Sequence, residues 1–287
     1  MKLAYYPGCV AKSSGKEYDR SLRAVSALLG IELLEVPDWN CCGATHVSSE
    51  PLAVGLSARV MSKTDLPVMT GCSICYSNLR LAALKLVDNC LRSKVNSVLD
   101  KEYTDTEVRH ILEVIVEAMK GANHSDIITR PLNGLKVAPY YGCLLTRPPG
   151  GIDSPENPMI MERFIEMLGA EPVSFSLKMR CCGGPIFVSE EEAASEMAYL
   201  ILRSAKKAGA DLLAVACPLC HLMLDCRQRS LEKRFGESLG IPVLYVTQLA
   251  GVAFGLSPEE LGLDLNSISA AEVLGRVEGA EEELPEC

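Results

Sequence analysis

"PDWNCCGATH", residues 37–46, places Cys41 and Cys42 side by side with Gly43 behind them, and "KMRCCGGPI", residues 178–186, repeats the device with Cys181, Cys182 and Gly183. Neighbouring cysteines can hardly bond to each other without straining the peptide between them, and one buried thiol packs as well as two. A chain that uses the arrangement twice needs two adjacent thiolates in two places.

The remaining cysteines fall into the same rhythm. The first half reads Cys9, then Cys41-Cys42, then Cys72 and Cys75, with gaps of 31 and 29 residues. The second reads Cys143, then Cys181-Cys182, then Cys217 and Cys220, with gaps of 37 and 34. The flanks repeat too: "LAYYPGC" answers "VAPYYGC", and "VMTGCSIC" answers "AVACPLC". This is one module of roughly 130–140 residues written twice. It divides the chain into domains 1–130 and 131–287, the second ending in an acidic tail, "EGAEEELPEC".

Each module reads as strands alternating with helices. Apolar, β-rich runs (Leu3–Tyr6, Val137–Tyr141) end at the first cysteine. Helical patterns follow, with Leu22, Val25 and Leu29 on one face, and Ile160, Phe164 and Leu168 in the second copy. Strands Leu33–Val36 and Val173–Phe175 lead to the paired cysteines. Ser49 with Pro51, and Ser189 with Glu192, mark the starts of the next helices. Strands Val68–Met69 and Leu212–Ala216 then enter Cys-x-x-Cys. Thr104–Lys120 reads as an amphipathic helix, "GANHSDIITRPLNG" as the linker, and Arg147–Pro158 as a proline-rich loop without a counterpart. The fold class is therefore α/β, two small mainly parallel sheets with flanking helices. In such sheets ligands gather at the carboxyl ends of the strands, where these cysteines fall.

Composition narrows the chemistry. A net charge of −9 and a pI of about 5.1 speak against nucleic acid and anionic lipid as partners. No apolar run reaches the roughly 18 residues of a membrane span, and the N-terminus lacks a signal peptide's apolar region, so a cytoplasmic protein is expected. Thirteen cysteines in that compartment point to metal or redox chemistry rather than disulfides. Zinc takes four ligands, commonly two Cys-x-x-Cys pairs; each module offers one such pair, one adjacent pair and one lone cysteine. Five thiolates exceed the need of one tetrahedral ion, whereas a larger iron–sulfur object can accept both members of an adjacent pair. Gly43, Gly183 and Gly184 would let the backbone approach it closely. Zinc in one module, or redox dithiols, stay open on the residues alone.

With its ten cysteines in two copies of Cys-x(~30–39)-Cys-Cys-Gly-x(~30–35)-Cys-x-x-Cys, the chain resembles the CCG domains of the B subunit of heterodisulfide reductase. The likeness runs from Tyr5 to about Gly255 and includes "SSGKEYD", "YYGCLLTRP" and "VTQLAG". It implies two modules related by pseudo-twofold symmetry and two non-cubane [4Fe-4S] clusters, each held by five cysteines. One would take Cys9, Cys41, Cys42, Cys72 and Cys75, the other Cys143, Cys181, Cys182, Cys217 and Cys220. In the family a disulfide of the coenzyme M–coenzyme B type is reduced between the two clusters, each supplying one electron. Implied partners are a ferredoxin-like C subunit and a flavin-containing A subunit, in company with a hydrogenase or formate dehydrogenase. The absence of Gly-x-Gly-x-x-Gly and Walker loops agrees with electrons arriving from another protein. The chain departs from the pattern at Leu144, where many members from methane-producing archaea carry histidine; the substrate of that group is therefore not carried over with the clusters. The alternatives are a related protein acting on another disulfide or sulfur compound, and an electron relay without catalysis.

Beyond the ligands, His46 and His221 follow cysteines of the motifs and are candidates to deliver a proton, against a packing role. His110, in the linking helix, and His124, beyond it, read as surface residues. Trp39 and Tyr5, Tyr6, Tyr140 and Tyr141 are expected to shield the sites. Lys12, Arg147, Lys178 and Arg180 are expected to offset cluster charge rather than bind substrate. Cys90 and Cys226 read as inert core thiols, and Cys287 as part of the tail.

Overall fold

The computed structural model describes residues 1–44, 46–121 and 127–278. In the first half, β1 (Lys2–Tyr5) runs into the one-turn helix α1 (Gly8–Ala11), then α2 (Lys16–Leu28), β2 (Glu32–Glu35), α3 (Glu50–Ser62), β3 (Val68–Thr70), α4 (Ser73–Lys85), α5 (Asn89–Asn96), β4 (Val108–His110) and α6 (Ile111–Gly121). The second half follows the same plan. It comprises β5 (Lys136–Tyr140), α7 (Ile160–Met167), β6 (Glu171–Pro172), α8 (Glu191–Lys207), β7 (Leu212–Val215), α9 (Pro218–His221), α10 (Gln228–Phe235), β8 (Val243–Tyr245), α11 (Val246–Ala253) and α12 (Ala271–Glu278). A π-helical turn, Leu222–Cys226, joins α9 to α10.

The strands form two four-stranded, wholly parallel sheets, ordered β2-β1-β3-β4 and β6-β5-β7-β8. Helices cover them, so the central strands β3 and β7 are buried along their whole length. Continuous apolar runs such as "LLAV" are what a strand buried on both faces requires. The order reverses between the first strand of each sheet and its two neighbours. That reversal opens a crevice at the carboxyl ends, the place where open α/β sheets bind ligands. The duplicated α/β architecture read from the cysteine repeat is the architecture observed.

Several elements differ in detail. Thr104–Lys120 is not one helix: Val108–His110 form the fourth strand, pairing with Val68–Thr70, and the helix begins at Ile111. The matching strand β8 carried no sequence signal either, since three residues are too short to display alternation. The second strand starts at Glu32, and its counterpart is only Glu171–Pro172 rather than Val173–Phe175. Ser49 is the N-cap residue of α3, while α8 starts at Glu191 behind Glu190. His124 in the linker and Cys287 with the acidic tail lie outside the described residues.

The two halves share a face. α2 lies against α11, where Ser21 and Thr247 hydroxyls meet at 2.7 Å and the Tyr18 and Tyr245 rings stack with centroids 4.0 Å apart. The proline-rich loop crosses to the first module, where Tyr76 donates to Gly150 O at 2.8 Å. No helix among the described residues is long and apolar enough to cross a membrane.

Candidate metal centre

Every cysteine of the repeat follows a strand. Cys9 and Cys143 come just after β1 and β5, the adjacent pairs lie in the loops after β2 and β6, and Cys72 and Cys217 are the N-cap residues of α4 and α9. In each set the last three cysteines of the motif are buried and the first two are more open, Cys9 being exposed and Cys41, Cys143 and Cys181 half-buried.

The thiols influence one another's acidity in the same order in both modules. In the first the order is Cys9–Cys41–Cys42–Cys75–Cys72, with Cys42 and Cys75 Sγ atoms 3.4 Å apart. In the second it is Cys143–Cys181–Cys182–Cys220–Cys217. The two sets face each other at Cys72 and Cys217, each of which shifts the other's acidity. Equivalent positions facing one another are what a twofold relation between modules produces.

Such crowding drives the thiols apart in acidity. Hydrogen bonding from Cys75 lowers Cys42, that from Cys143 lowers Cys181, and that from Cys220 lowers Cys217. The donors Cys75, Cys143 and Cys220 move up, through that same sharing and through burial. Backbone N–H groups assist: Ala44 N and Gly183 N each lie 3.4 Å from the sulfur of Cys42 and Cys181. Cys41, Cys72 and Cys182 also move up, so the crowded thiols share protons and only Cys42, Cys181 and Cys217 are favoured as thiolates.

The donor set fits a cluster better than an ion. Three ligands of one metal ion need their donor atoms mutually close; the one His/Cys/Asp/Glu group found among the described residues with all donors within 4.8 Å of each other is His221, Asp225 and Cys226, not any trio from the ten cysteines. Five sulfurs per module exceed what one tetrahedral ion takes, and a multi-iron group can accept both members of an adjacent pair. The His221 group is already engaged. Asp225 accepts from Ser267 N at 2.6 Å and Ile268 N at 3.2 Å, and His221 Nε2 donates to Val243 O at 3.1 Å.

Backbone holds the cysteine loops in register. Tyr6 and Tyr140, three residues before Cys9 and Cys143, donate to Asn40 O at 2.8 Å and Arg180 O at 2.6 Å, the carbonyls just ahead of each adjacent pair. Asn78 Nδ2 bonds both Cys42 O and Ala44 O at 3.1 Å. The glycines that face sulfur are not those of the CCG motif. A Cβ on Gly8 would lie 3.1 Å from Cys75 Sγ, and one on Gly142 3.3 Å from Cys220 Sγ, both at positive φ. Gly43, Gly183 and Gly184 instead face Val47, Ala194 and Leu219. At these three positions a side chain would meet protein rather than sulfur, while the Gly183 N–H lies 3.4 Å from Cys181 Sγ.

Two cavities open on the cysteines. The larger, about 370 Å³, is lined by Cys9, Cys42, Cys72, Cys75 and His46, and by Pro185 and Val188 from the second module. The smaller, about 20 Å³, is lined by all five cysteines of the second set, with Ser73 reaching in from the first module. Ile74 and Leu219, equivalent residues of the two Cys-x-x-Cys turns, line both.

The candidate histidines separate. His46 is exposed and lines the larger cavity. His221 is turned away into the core, stacked on Tyr245 with its Nδ1 3.8 Å from Glu17, and burial lowers its pKa to about 3. It lines neither cavity, so its placement corrects the expectation that it serves substrate. His110, expected at the surface, is fully buried at the end of β4. Its Nε2 lies 3.2 Å from Gly71 O and 3.1 Å from Ala216 O. The strand it sits on was missed, and with it the residue.

Other side chains are reassigned likewise. Lys12 pairs with Glu35 at 2.8 Å, and Lys178 with Glu162 at 2.6 Å, so both cations are matched locally rather than by a cluster. Trp39 lies edge-on to Tyr6 and donates to Glu35, shielding the tyrosine rather than lining a cavity. Cys90 and Cys226 are exposed, not core thiols, because each falls on the solvent side of its helical turn.

Against known proteins, a model described as a cysteine-rich domain, CCG, matches residues 3–80 and 137–225. The chain is similar to the 8-methylmenaquinol:fumarate reductase membrane anchor subunit of Wolinella succinogenes, with 34% identity covering 95% of this chain and 99% of that one. It is also similar to the B subunit of the ferredoxin/F420H2-dependent CoB-CoM heterodisulfide reductase of Methanosarcina acetivorans, with 32% identity covering 96% and 97%. Among solved structures, a hypothetical protein from Helicobacter pylori shares the fold with a TM-score of 0.78 at 15% identity; the match covers 93% of this chain and 52% of that one.

Proposed function

From the premise that this chain belongs to the cysteine-rich CCG-domain family of heterodisulfide reductase B subunits, we propose that it is the catalytic subunit of a heterodisulfide-reductase-type complex, reducing a disulfide. The observation that carries the reading is the pair of five-thiol sets coupled in identical order, facing each other at Cys72 and Cys217. Cys9, Cys41, Cys42, Cys72 and Cys75 would hold one [4Fe-4S] cluster of the non-cubane kind, and Cys143, Cys181, Cys182, Cys217 and Cys220 the other. When bound, each cluster supplies one electron. Cleaving R–S–S–R′ consumes two electrons and two protons and yields two thiols, so a pair of one-electron sites facing each other matches the stoichiometry.

The chain's own residues prepare the larger cavity for this step. Pro7, Val10, Ile74, Pro185, Val188 and Leu219 give it apolar walls that exclude water from a sulfur substrate. His46 is the imidazole positioned on that wall to hand a proton to a departing thiolate. Tyr6 and Tyr140 stay protonated next to the thiols, since burial and the neighbouring sulfur charge both push their hydroxyls far up. They hold the loops and do not exchange protons. Electrons come from a partner, for which a ferredoxin-like C subunit and a flavin-containing A subunit are the proposed sources.

The 34%-identical relative named as a membrane anchor subunit favours a second reading, an electron relay that attaches other subunits and cleaves nothing. Iron, acid-labile sulfide and zinc should be measured on protein purified without oxygen. About eight irons and eight sulfides per chain support two four-iron clusters; zinc in either module removes the paired scheme. Disulfide reduction by reduced donor, slowed in His46→Gln at unchanged iron content, separates catalysis from relay.

A further inference from the structure

We propose that His110 is the positioning residue that sets the separation of the two cysteine sets, its single ring N–H shared by backbone on either side of the module boundary. Gly71 and Ala216 immediately precede Cys72 and Cys217, the two thiols at which the sets face each other. His110 Nε2 reaches both carbonyls, at 3.2 and 3.1 Å. Nδ1 accepts from Leu112 N at 3.2 Å and so carries no proton. The ring's one proton is therefore on Nε2, and with two carbonyls in front of it that proton can only be donated, in a three-centre bond.

Each carbonyl has a second donor that fixes its direction. Tyr18 O–H reaches Gly71 O at 2.7 Å, and Ser73 Oγ reaches Ala216 O at 2.9 Å across the boundary. The imidazole is held edge-on against Tyr76, centroids 5.8 Å apart at 85°. Burial lowers its pKa to about 4, so the ring keeps one proton at neutral pH.

The device is single for a geometric reason. Strand register makes Thr70–His110 of the first sheet equivalent to Val215–Tyr245 of the second. In the first module the residue after the last cysteine is Tyr76 and the strand-end residue His110; in the second they are His221 and Tyr245. The aromatic–imidazole pair is kept and its members exchanged. A donor placed between two equivalent carbonyls occupies the centre of the relation, where two copies would collide. One module supplies the ring for both, and Tyr245 instead stacks on Tyr18 and bonds Glu17.

This inference rests on the two-cluster reading, and the test separates the two. Iron and sulfide on the parent protein come first: one cluster's worth, or zinc, ends that reading and the clamp's purpose with it. With two clusters present, the magnetic interaction between them is read as splitting or broadening of the paramagnetic resonance signal. His110→Phe keeps the ring against Tyr76 and removes the donor; His110→Gln keeps a donor at similar reach. The expected result is parent iron content in both, loss of the splitting in His110→Phe and its retention in His110→Gln. A Phe variant with parent iron and parent splitting overturns the assignment, as does a parent without any interaction. Should the Phe variant fail to load iron, the Gln variant decides. A parent-like signal supports the clamp, and failure to load or a lost splitting refutes it.

Discussion

Replacing Gly8 by alanine tests whether the glycines ahead of the motif, rather than those within it, make room for sulfur. Gly8 has φ +73° and Gly30 has φ +66°, so alanine is disfavoured by about the same 1–2 kcal/mol at either position. Around Gly30 nothing lies within 4 Å of the added Cβ, whereas at Gly8 it would stand 3.1 Å from Cys75 Sγ. That sulfur is buried and already 3.4 Å from Cys42 Sγ, so it has to shift by a few tenths of an ångström against a neighbour. Thermal unfolding of both variants, with iron content and absorption spectra, separates backbone strain from sulfur crowding. Both should melt lower, by roughly 2–4 °C per kcal/mol lost. Gly30→Ala should keep all its iron, and Gly8→Ala should lose the iron of one module. Gly142→Ala, with its Cβ 3.3 Å from Cys220 Sγ, should do the same to the other module more weakly. A Gly8→Ala protein with full iron and the melting temperature of Gly30→Ala would falsify the assignment.

Lys178→Met should destabilise by about 1–3 kcal/mol in urea, since it leaves Glu162, 10% exposed, with Tyr141 O–H as its remaining donor; a second Glu162→Leu should recover only part, because it takes the acceptor from Tyr141. Tyr6→Phe and Tyr140→Phe should each weaken the fold by about 1 kcal/mol and alter the spectrum of their own module only, because each leaves one carbonyl without its hydroxyl donor. Acid should destabilise the protein in part through His110, alongside His221, whose pKa burial lowers as well. The His110 pKa is lowered from 6.5 to about 4, so below pH 6.5 the unfolded chain takes up a proton that the folded chain refuses. The share from His110 is in place above 6.5 and falls by about 3 kcal/mol as pH drops to 4; urea midpoints at pH 7 and 4.5 should diverge less in His110→Gln.

The cysteine repeat made the doubled α/β plan and both thiol sets legible, because a ligand pattern survives in the order of residues even where strands are short. What escaped was whatever depends on the second module's presence. His110 looked like a polar residue on an amphipathic helix, since β4 is three residues long and its partner carbonyl, Ala216 O, lies 106 positions away. His221 looked like a proton donor because it follows Cys220, but the start of a π-helical turn rotates it toward Glu17 and Val243. The glycine–cysteine step at Gly8–Cys9 and Gly142–Cys143 was a readable signal, repeated in both halves and overshadowed by the louder CCG.

The exchange of tyrosine and histidine between Tyr76–His110 and His221–Tyr245 has a consequence for how such a site can evolve. A homodimer of one identical module must present the same side chain at both positions of every pair, so its two halves recognise the same thing. Once duplication joins the copies in one chain, each position mutates alone. Here one half has become an open pocket of about 370 Å³ while the other has shrunk to about 20 Å³ around an unaltered set of thiols. A fused pair of this kind can meet a molecule with two unlike ends, seating one and merely touching the other.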